Sequence, residues 1–432
     1  MAHDNSNSRP NRLSFEERAQ IFDKVAAKVT KGYFDPNFNG TNWPELARES
    51  RKSILALEDP ETFERGMHEL VRRLGTSHTG FFHQSVRRVP ARLSIGATFH
   101  KSGSDANTRW MVQDVHEGGP AHTAGLQPGD VIQSIDGVCP PAGEPPMFAM
   151  GTDVSLVVDR GSEQIVVRMK IPAPRSRKQP AADLKPVTWS ILDGNVGYMK
   201  VPILPGVLGL DVARAIDEAM EALASCERFV LDLRGHVGGG LGVLRLMSHL
   251  TPDRIPIGYT VTRKRAESGY DKATLPQLGR LPTNLPNPLA IASMAMKFIG
   301  RDSSVALFSE GLGPKKWHGH AAILVNEHTI SAGEMVAAFA SENHLATIVG
   351  AETAGRLIPG SGVKVGAGYM LVMPKAEYRT WSGERFEGRG ILPDIRVPWS
   401  ADQQLGDLSD QLSTAIQAAS RSQPRGRAAQ SG

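Results

Sequence analysis

A serine at the start of a predicted helix is the side chain in this sequence best placed for nucleophilic chemistry. Ser331 follows residues 321–325, an apolar run with the length and composition of a buried strand. The residues behind it form one apolar helical face, made up of Met335, Val336, Phe339 and Ala340. A turn from strand to helix holds a hydroxyl beside backbone N–H groups that lack a partner within the helix. Serine is also a common helix N-cap, so a catalytic interpretation requires a base, an orienting group and an oxyanion site elsewhere in the chain.

A glycine-rich segment after another predicted strand has the character of an anion site. Residues 229–233 are typical of a buried strand, and Arg234-Gly235-His236-Val237-Gly238-Gly239-Gly240 leads from them to a helix predicted over 243–250. Glycines at such a junction allow close backbone approach and expose N–H groups to an anion. The Lys-Ser/Thr of a P-loop and the acidic partner of a dinucleotide site are both missing from the sequence around it. An oxyanion site therefore fits better than a phosphate cradle.

Composition excludes several classes of protein. The 432 residues suffice for about three domains, and 40% hydrophobic with 22% charged residues is ordinary for a globular protein. The net charge of +4 is spread along the chain, so we expect no nucleic-acid partner. Cys139 and Cys226 are too few for a disulfide framework or a zinc site, and His318, His320 and His328 lack the spacing of metal ligands. With no signal peptide, membrane span or cofactor motif recognised, the sequence predicts a cytoplasmic protein.

A candidate base lies near the start of the chain. Three amphipathic helices are predicted there, the first with a capping box at Ser14 and Glu17 and the third ending at Gly75. The exit of the third helix reads Gly75-Thr76-Ser77-His78. A histidine just past a helix end is usually a surface residue, so His78 gains a role only through a partner.

Residues 92–172 form short strands and turns that resemble a PDZ domain. The resemblance depends on the run Gly118-Gly119-Pro120-Ala121-His122-Thr123-Ala124-Gly125-Leu126-Gln127-Pro128-Gly129-Asp130. A PDZ domain implies capture of a peptide end, with the peptide carboxylate held by the backbone N–H groups of a loop that here is Ser94-Ile95-Gly96. A purely structural module that clamps the neighbouring domain is the alternative, and both interpretations stay open. We call residues 92–172 the PDZ-like module.

The order of the motifs resembles that of a known peptidase family. The helical region and the PDZ-like module are followed by Asp232-Leu233-Arg234, by Ser331-Ala332-Gly333-Glu334 and by Glu387-Gly388-Arg389-Gly390-Ile391-Leu392-Pro393-Asp394. This order is similar to that of the C-terminal processing peptidases, or tail-specific proteases, and of the tricorn protease core. The resemblance implies a multidomain α/β fold whose catalytic domain is a crotonase- or Clp-like ββα spiral. It also implies serine-dependent hydrolysis of peptide bonds.

Two catalytic designs occur in this family, and one of them fits poorly. The processing branch of the family has a Ser-Lys catalytic dyad. In this sequence Arg356 occupies the position of that lysine. Arginine stays protonated at any working pH and cannot accept the proton of Ser331. Lys364 is the nearest lysine, and it does not match the motif.

The tricorn branch uses a Ser-His-Ser-Glu arrangement of catalytic residues. This sequence has a candidate for each of the four positions. The resemblance assigns His78 as the base for Ser331, with Ser77 and Glu387 as its support. The oxyanion would be held by the backbone N–H groups of Gly238 and Ala332. Glu384 lies close to Glu387 in sequence and competes for that role. His236 stands where the family often has asparagine, and it either tunes the site or packs.

The sequence therefore predicts a serine peptidase that acts on unfolded proteins or peptides and needs no cofactor. A catalytically silent peptide-binding scaffold and a Ser-Lys peptidase are the alternatives, and assembly into a homo-oligomer stays open. The predicted organisation is a disordered tail (1–12), a helical domain (13–88), the PDZ-like module (92–172), a linker (173–186), a catalytic domain (187–400), and a C-terminal helix with a disordered tail (401–432). Residues 251–320 are predicted to form an insertion that borders the cleft.

Overall fold

The computed structural model describes residues 12–85, 88–103, 109–143, 145–173, 184–206, 209–281, 304–313, 320–358, 360–400 and 410–421. All but the last residue of the predicted tail at 1–12, most of the linker at 173–186 and most of the terminal tail lie outside these ranges. The chain divides into two compact units. The first unit comprises Met1–Val86, Pro256–Phe308 and Gly355–Arg389, and the second comprises Arg87–Ile255, Ser309–Ala354 and Gly390–Gly432.

The described part of the chain begins with three helices and continues with strands and further helices. The helices are α1 (Phe15–Gly32), α2 (Trp43–Leu55), α3 (Pro60–Arg72), α4 (Ala91–Ser94), α5 (Pro120–Thr123), α6 (Leu210–Ala222), α7 (Val243–Ser248), α8 (Arg263–Ser268), α9 (Ala332–Glu342) and α10 (Asp410–Arg421). The strands are β1 (Gly80–His83), β2 (Arg88–Pro90), β3 (Ala97–Ser102), β4 (Arg109–Val115), β5 (Val131–Ile135), β6 (Met147–Ala149), β7 (Asp153–Arg160), β8 (Glu163–Lys170), β9 (Thr188–Leu192), β10 (Val196–Lys200), β11 (Arg228–Asp232), β12 (Pro256–Thr262), β13 (Gln277–Leu278), β14 (Ala306–Phe308), β15 (His320–Val325), β16 (Thr347–Gly350), β17 (Gly360–Gly366), β18 (Tyr369–Pro374), β19 (Ala376–Thr380) and β20 (Ile395–Arg396). The predicted fold class, multidomain α/β, is confirmed.

The first unit packs three helices against an antiparallel sheet. The capping box predicted at Ser14 is present, with Ser14 and Glu17 each accepting a backbone N–H from the other. The apolar faces of α1, α2 and α3 cover the sheet β1-β18-β17 around a core that includes Trp43, Phe63 and Tyr369. Because α3 ends just before the β1 strand, the segment that carries His78 is held between two packed elements. A second sheet in this unit has the order β13-β14-β12-β19.

The second unit is built on a six-stranded sheet with the order β20-β16-β15-β11-β10-β9. Strands β10, β11, β15, β16 and β20 run parallel, and the edge strand β9 is antiparallel. Since β11 and β15 are parallel neighbours, their carboxyl ends lie at the same edge of the sheet. We call the segments that leave this edge the glycine loop (residues 233–240) and the serine loop (residues 326–331). The helix α10 covers one face of the sheet.

The PDZ-like module belongs to the second unit. Its antiparallel sheet has the order β3-β4-β5-β7-β8, so β3 is an edge strand. The strands predicted around Trp110 and over Val131–Ile135 are present as β4 and β5. A two-stranded ribbon of β2 and β6 adjoins this sheet, and the short α4, which the sequence did not predict, leads into the loop before β3.

No helix within the described ranges has the length and apolar character needed to cross a membrane.

Candidate active site

The backbone of Ser331 differs from that of an ordinary helix N-cap. Ser331 stands at the N-cap of α9 with φ 53° and ψ −115°. Ser14, the N-cap of α1, has the extended values φ −66° and ψ 163° that N-caps usually adopt. A non-glycine residue with such a positive φ is strained by about 1–3 kcal/mol and is concentrated at functional sites. The strand-to-helix turn with this strain is the geometry that presents a serine nucleophile in hydrolases.

A buried glutamate holds this turn in place. The N–H of Ser331 donates to Oε2 of Glu334 at 3.1 Å, and the hydroxyl of Thr353 donates to Oε1 of the same carboxylate at 2.6 Å. The N–H of Ile391 in turn donates to Oγ1 of Thr353 at 2.7 Å. The Glu334 side chain is fully buried. Glu334 entered the sequence motif without a role of its own, although its place three residues after the serine is a recognised helix-start pattern.

The glycine loop passes directly beside Ser331. A Cβ atom added to Gly238 would lie 2.9 Å from Cβ and 3.2 Å from Oγ of Ser331, and Gly238 has φ 88°. The N–H groups of Val237 and Gly240 donate to the carbonyls of Pro202 and Leu204. Within the described residues, the N–H groups of Gly238 and Ala332 have no acceptor. The predicted oxyanion donors thus have N–H groups available next to the serine hydroxyl.

Three hydrogen bonds tie the serine loop to the glycine loop. The hydroxyl of Thr329 donates to the carbonyl of Leu233 at 2.8 Å. The N–H of Gly235 donates to Oδ1 of Asn326 at 3.0 Å. The N–H of Ile330 donates to the carbonyl of His236 at 3.0 Å. Asn326 and Thr329 had no predicted role, although both are residue types that commonly bond to nearby backbone.

His236 packs beneath the first turn of α9. Its Nδ1 lies 2.6 Å from the carbonyl oxygen of Val201, so the proton is on Nδ1. A Cβ atom on Gly333 would lie 2.9 Å from Cδ2 of the ring. Burial lowers the pKa of His236 to about 4, against the weaker opposing effect of the Val201 carbonyl. Of the two interpretations left open by the sequence, these contacts favour packing by a neutral ring.

The Asp232-Leu233-Arg234 motif locks the start of the glycine loop. Arg234 donates to both carboxylate oxygens of Asp232, at 2.9 and 2.6 Å, and the hydroxyl of Tyr198 donates to Oδ2 at 2.7 Å. Burial on its own would raise the pKa of Asp232, but the charges of Arg234 and Lys200 lower it below its ordinary value. The aspartate is therefore ionised. Its bidentate ion pair with Arg234 fixes the start of the glycine loop.

The first unit brings together the three other predicted residues. Oγ of Ser77 lies 2.8 Å from Nδ1 of His78. The N–H of Ser77 donates to Oε1 of Glu387 at 2.7 Å. The other carboxylate oxygen of Glu387 accepts the N–H groups of Leu357 and Ile358 at 2.9 and 3.0 Å. Glu387 thus fixes the backbone of the segment that carries the histidine.

The competing residues have different surroundings. Glu384 is exposed and forms an ion pair with Arg389. Arg356 is exposed, and Lys364 is exposed on β17. Among the histidines considered for metal binding, His328 lies 3.1 Å from the carbonyl oxygen of Phe99, and His318 lies outside the described residues. The described part of the chain contains no cluster of three or more metal-ligating side chains.

The loop predicted to hold a peptide carboxylate is buried in this structure. The side chains of Ser94 and Ile95 are fully buried, and the N–H groups of Ile95 and Gly96 both donate to the carbonyl of Ala91, at 2.8 and 3.1 Å. Cδ2 of Leu184 would lie 2.6 Å from a Cβ atom on Gly96. Leu184 therefore covers this loop. The carboxylate site at Ser94, Ile95 and Gly96 stays a prediction.

Comparison with known proteins gives this architecture a family. Residues 195–397 match the model of peptidase family S41, and residues 111–144 match that of the PDZ domain. The part of the chain that carries Ser331 therefore resembles peptidase family S41. The family recognised from the motifs is thereby confirmed, and the chain is a serine peptidase.

Several curated and solved proteins match most of the length of this chain. A carboxyl-terminal-processing protease of Synechocystis sp. is 24% identical over 403 residues, which cover 89% of this chain and 82% of that protein. A putative tricorn protease homolog of Streptomyces coelicolor is 23% identical over 88% of this chain and 30% of that protein. The solved photosystem II D1 C-terminal processing protease shares the fold with a TM-score of 0.54 at 18% identity, over 91% of this chain and 99% of that chain.

Proposed function

We propose that this S41 peptidase hydrolyses peptide bonds in unfolded proteins or peptides, with Ser331 as the nucleophile and His78 as the base. The observation that carries the proposal is the strained backbone of Ser331 with the glycine loop against its hydroxyl. An N-cap needs neither feature, because Ser14 caps α1 from an extended backbone. A nucleophile needs both, since its hydroxyl must be exposed beside N–H donors.

The chemistry follows that of acyl-transfer enzymes. Nε2 of His78 would take the proton of Ser331 as Oγ bonds to the substrate carbonyl carbon, and it would return that proton to the leaving amine. The N–H groups of Gly238 and Ala332 would stabilise the negative oxygen of the tetrahedral intermediate. Water would then hydrolyse the acyl-enzyme by the same route, which releases the acid and restores Ser331.

The Ser77–His78 pair supports the choice of histidine as base. For Nε2 to accept the proton of Ser331, Nδ1 must carry the hydrogen of the neutral ring and donate it to Oγ of Ser77, which lies 2.8 Å away. Glu387 would keep Ser77 in place through its backbone N–H and add negative charge near the imidazolium. Arg356 cannot act as a base, and Lys364, which is exposed on β17, does not match the lysine of the family's motif.

Substrates are proposed to be chain ends, because relatives are named as processing proteases of carboxyl termini. The PDZ-like module would hold such an end at Ser94, Ile95 and Gly96 and so raise its local concentration. We further propose a cytoplasmic location, as the sequence composition favours. Association into homo-oligomers would be compatible with this activity.

Labelling with a fluorophosphonate tests the proposal. The reagent forms a covalent adduct with an activated serine, and mass spectrometry of the digested protein locates it. We expect one adduct, on Ser331, together with cleavage of casein, and neither in Ser331→Ala. A folded wild-type protein that is not labelled and leaves casein intact would support the rival function, a silent peptide-binding scaffold.

A further inference from the structure

The PDZ-like module contacts both loops of the candidate active site. Its strand β4 carries Asp114, whose carboxylate accepts two hydrogen bonds from Nζ of Lys200, at 2.6 and 2.8 Å. The two side chains are 21% and 15% exposed. Lys200 ends β10 and pairs in register with Asp232, the residue directly before the glycine loop. An ion pair between the module and β10 therefore lies beside the first residues of the glycine loop.

The module residue His116 contacts the glycine loop directly. Its side chain is fully buried, and a Cβ atom on Gly235 would lie 2.9 Å from both Cε1 and Nε2 of the ring. Cγ2 of Thr98 approaches the same Gly235 position, at 3.3 Å. Nδ1 of His116 lies 3.7 Å from the Asp114 carboxylate. Module side chains thus enclose Gly235 and leave no room for a side chain at this position.

The serine loop is held from the same side. The side-chain amide of Gln113 donates to Oε1 of Glu327 at 3.0 Å. The ring of His328 lies 3.1 Å from the carbonyl oxygen of Phe99 on β3. Gln113 belongs to β4 and Phe99 to β3, so two strands of the module contact the serine loop. Because His116 contacts the glycine loop, the module touches both loops beside Ser331.

We propose that Asp114 is a positioning residue of the peptidase, which fixes the glycine loop through Lys200 and sets the place of the Gly238 N–H. This inference rests on Ser331 as the reacting residue and goes beyond it by giving the PDZ-like module a part in catalysis that needs no bound peptide. Without the Asp114 carboxylate, the ammonium of Lys200 turns to Asp232, the remaining acid near it, and competes with Arg234 for that carboxylate. The bidentate ion pair between Asp232 and Arg234, which fixes the start of the glycine loop, is then weakened.

The test uses three variants, Asp114→Asn, Lys200→Met and the double variant. The rate constant of fluorophosphonate labelling is measured together with kcat and KM for a short chromogenic peptide. We expect each single variant to label at least tenfold more slowly, with kcat reduced and KM within twofold of the wild-type value. The double variant should be no slower than the slower single variant, because the two residues act as one unit.

Glu117→Gln is the matched control. Glu117 also belongs to the module and pairs with a lysine, Lys185, but this pair is half-exposed. It should label at the wild-type rate. Thermal unfolding of all variants separates positioning from folding, because a purely structural role lowers labelling only in proportion to the unfolded fraction.

Two results would overturn the inference. One is an Asp114→Asn protein that is folded and labels at the wild-type rate. The other is a loss explained wholly by unfolding. Absence of labelling in the wild-type protein would instead remove the proposed function itself, so the two failures are distinguishable.

Discussion

Gly238 lies so close to Ser331 that a Cβ atom at position 238 would sit 2.9 Å from the Cβ of the serine. The φ of 88° at Gly238 is also one that only glycine adopts without strain. We predict that Gly238→Ala displaces the glycine loop from the serine hydroxyl and lowers kcat by about 100-fold or more, the typical effect of losing an oxyanion donor. Steady-state hydrolysis of a chromogenic peptide measures it.

Gly161→Ala is the control for this change. Gly161 has φ 62°, and no atom of the described residues lies within 4 Å of the Cβ position. The same backbone strain is therefore introduced away from the candidate site. An equal loss of kcat in both variants would contradict a specific role for Gly238.

Glu334 is predicted to stabilise the strained turn rather than to react. In Glu334→Gln, the single side-chain oxygen cannot accept from both Ser331 and Thr353 as the two carboxylate oxygens do. We expect stability to fall by about 1–3 kcal/mol, the cost of an unsatisfied buried polar group, and kcat to fall with it. Urea unfolding and peptide hydrolysis measure the two effects. Wild-type values for both would refute this role, and Glu352→Gln on the exposed surface serves as the control.

Two buried histidines should make the protein less stable in mild acid. Burial lowers the pKa of both His116 and His236 to about 4, while an exposed histidine titrates near 6.5. The unfolded chain therefore binds more protons between these values, so stability is complete above pH 6.5 and declines as the pH falls towards 4. Each histidine should remove about 2 kcal/mol between pH 7 and pH 5.

The acidic groups near His116 titrate outside this window. The pKa of Asp114, despite its burial, is held well below the ordinary value by Lys200 and His116, and that of Asp232 is also lowered. Urea unfolding at the two pH values should show a smaller difference in His116→Gln than in the wild-type protein. An unchanged difference would show that His116 is not neutral when folded.

Capture of a peptide end by the PDZ-like module should require Leu184 to move. Leu184 is buried against Gly96 and Gly119, and its neighbour Lys185 pairs with Glu117. We predict that Leu184→Ala binds a peptide with an apolar free carboxyl end more tightly than the wild-type protein does. Fluorescence anisotropy measures this, with the amidated peptide as control. Equal binding of the two peptides would argue against a carboxylate site at residues 94–96.

Local patterns were enough to predict most of the elements that carry the candidate site. The apolar run of β15, the helix after Ser331 and the capping box at Ser14 all depend on residues close in sequence. Contacts between distant residues could not be predicted in this way. Asp114 and Lys200 are 86 positions apart, and no periodicity links them.

The pairing of Ser77 with Glu387 shows the same limit. These residues are 310 positions apart, and only the family resemblance joined them before the structure did. The sheet of β12, β13, β14 and β19 was also missed, because its strands are short and interrupted by proline and glycine. Burial against another segment, rather than local propensity, determines such strands.

If Ser331 depends on a histidine and not on a lysine, the two residue types should differ sharply when each is replaced. The labelling rate constant with a fluorophosphonate is measured for His78→Ala and Lys364→Ala beside the wild-type protein. We expect a loss of about 100-fold to 10,000-fold for His78→Ala, the usual contribution of a general base, and a near wild-type rate for Lys364→Ala. A folded His78→Ala protein that labels normally, with labelling lost in Lys364→Ala, would show that the base is a lysine.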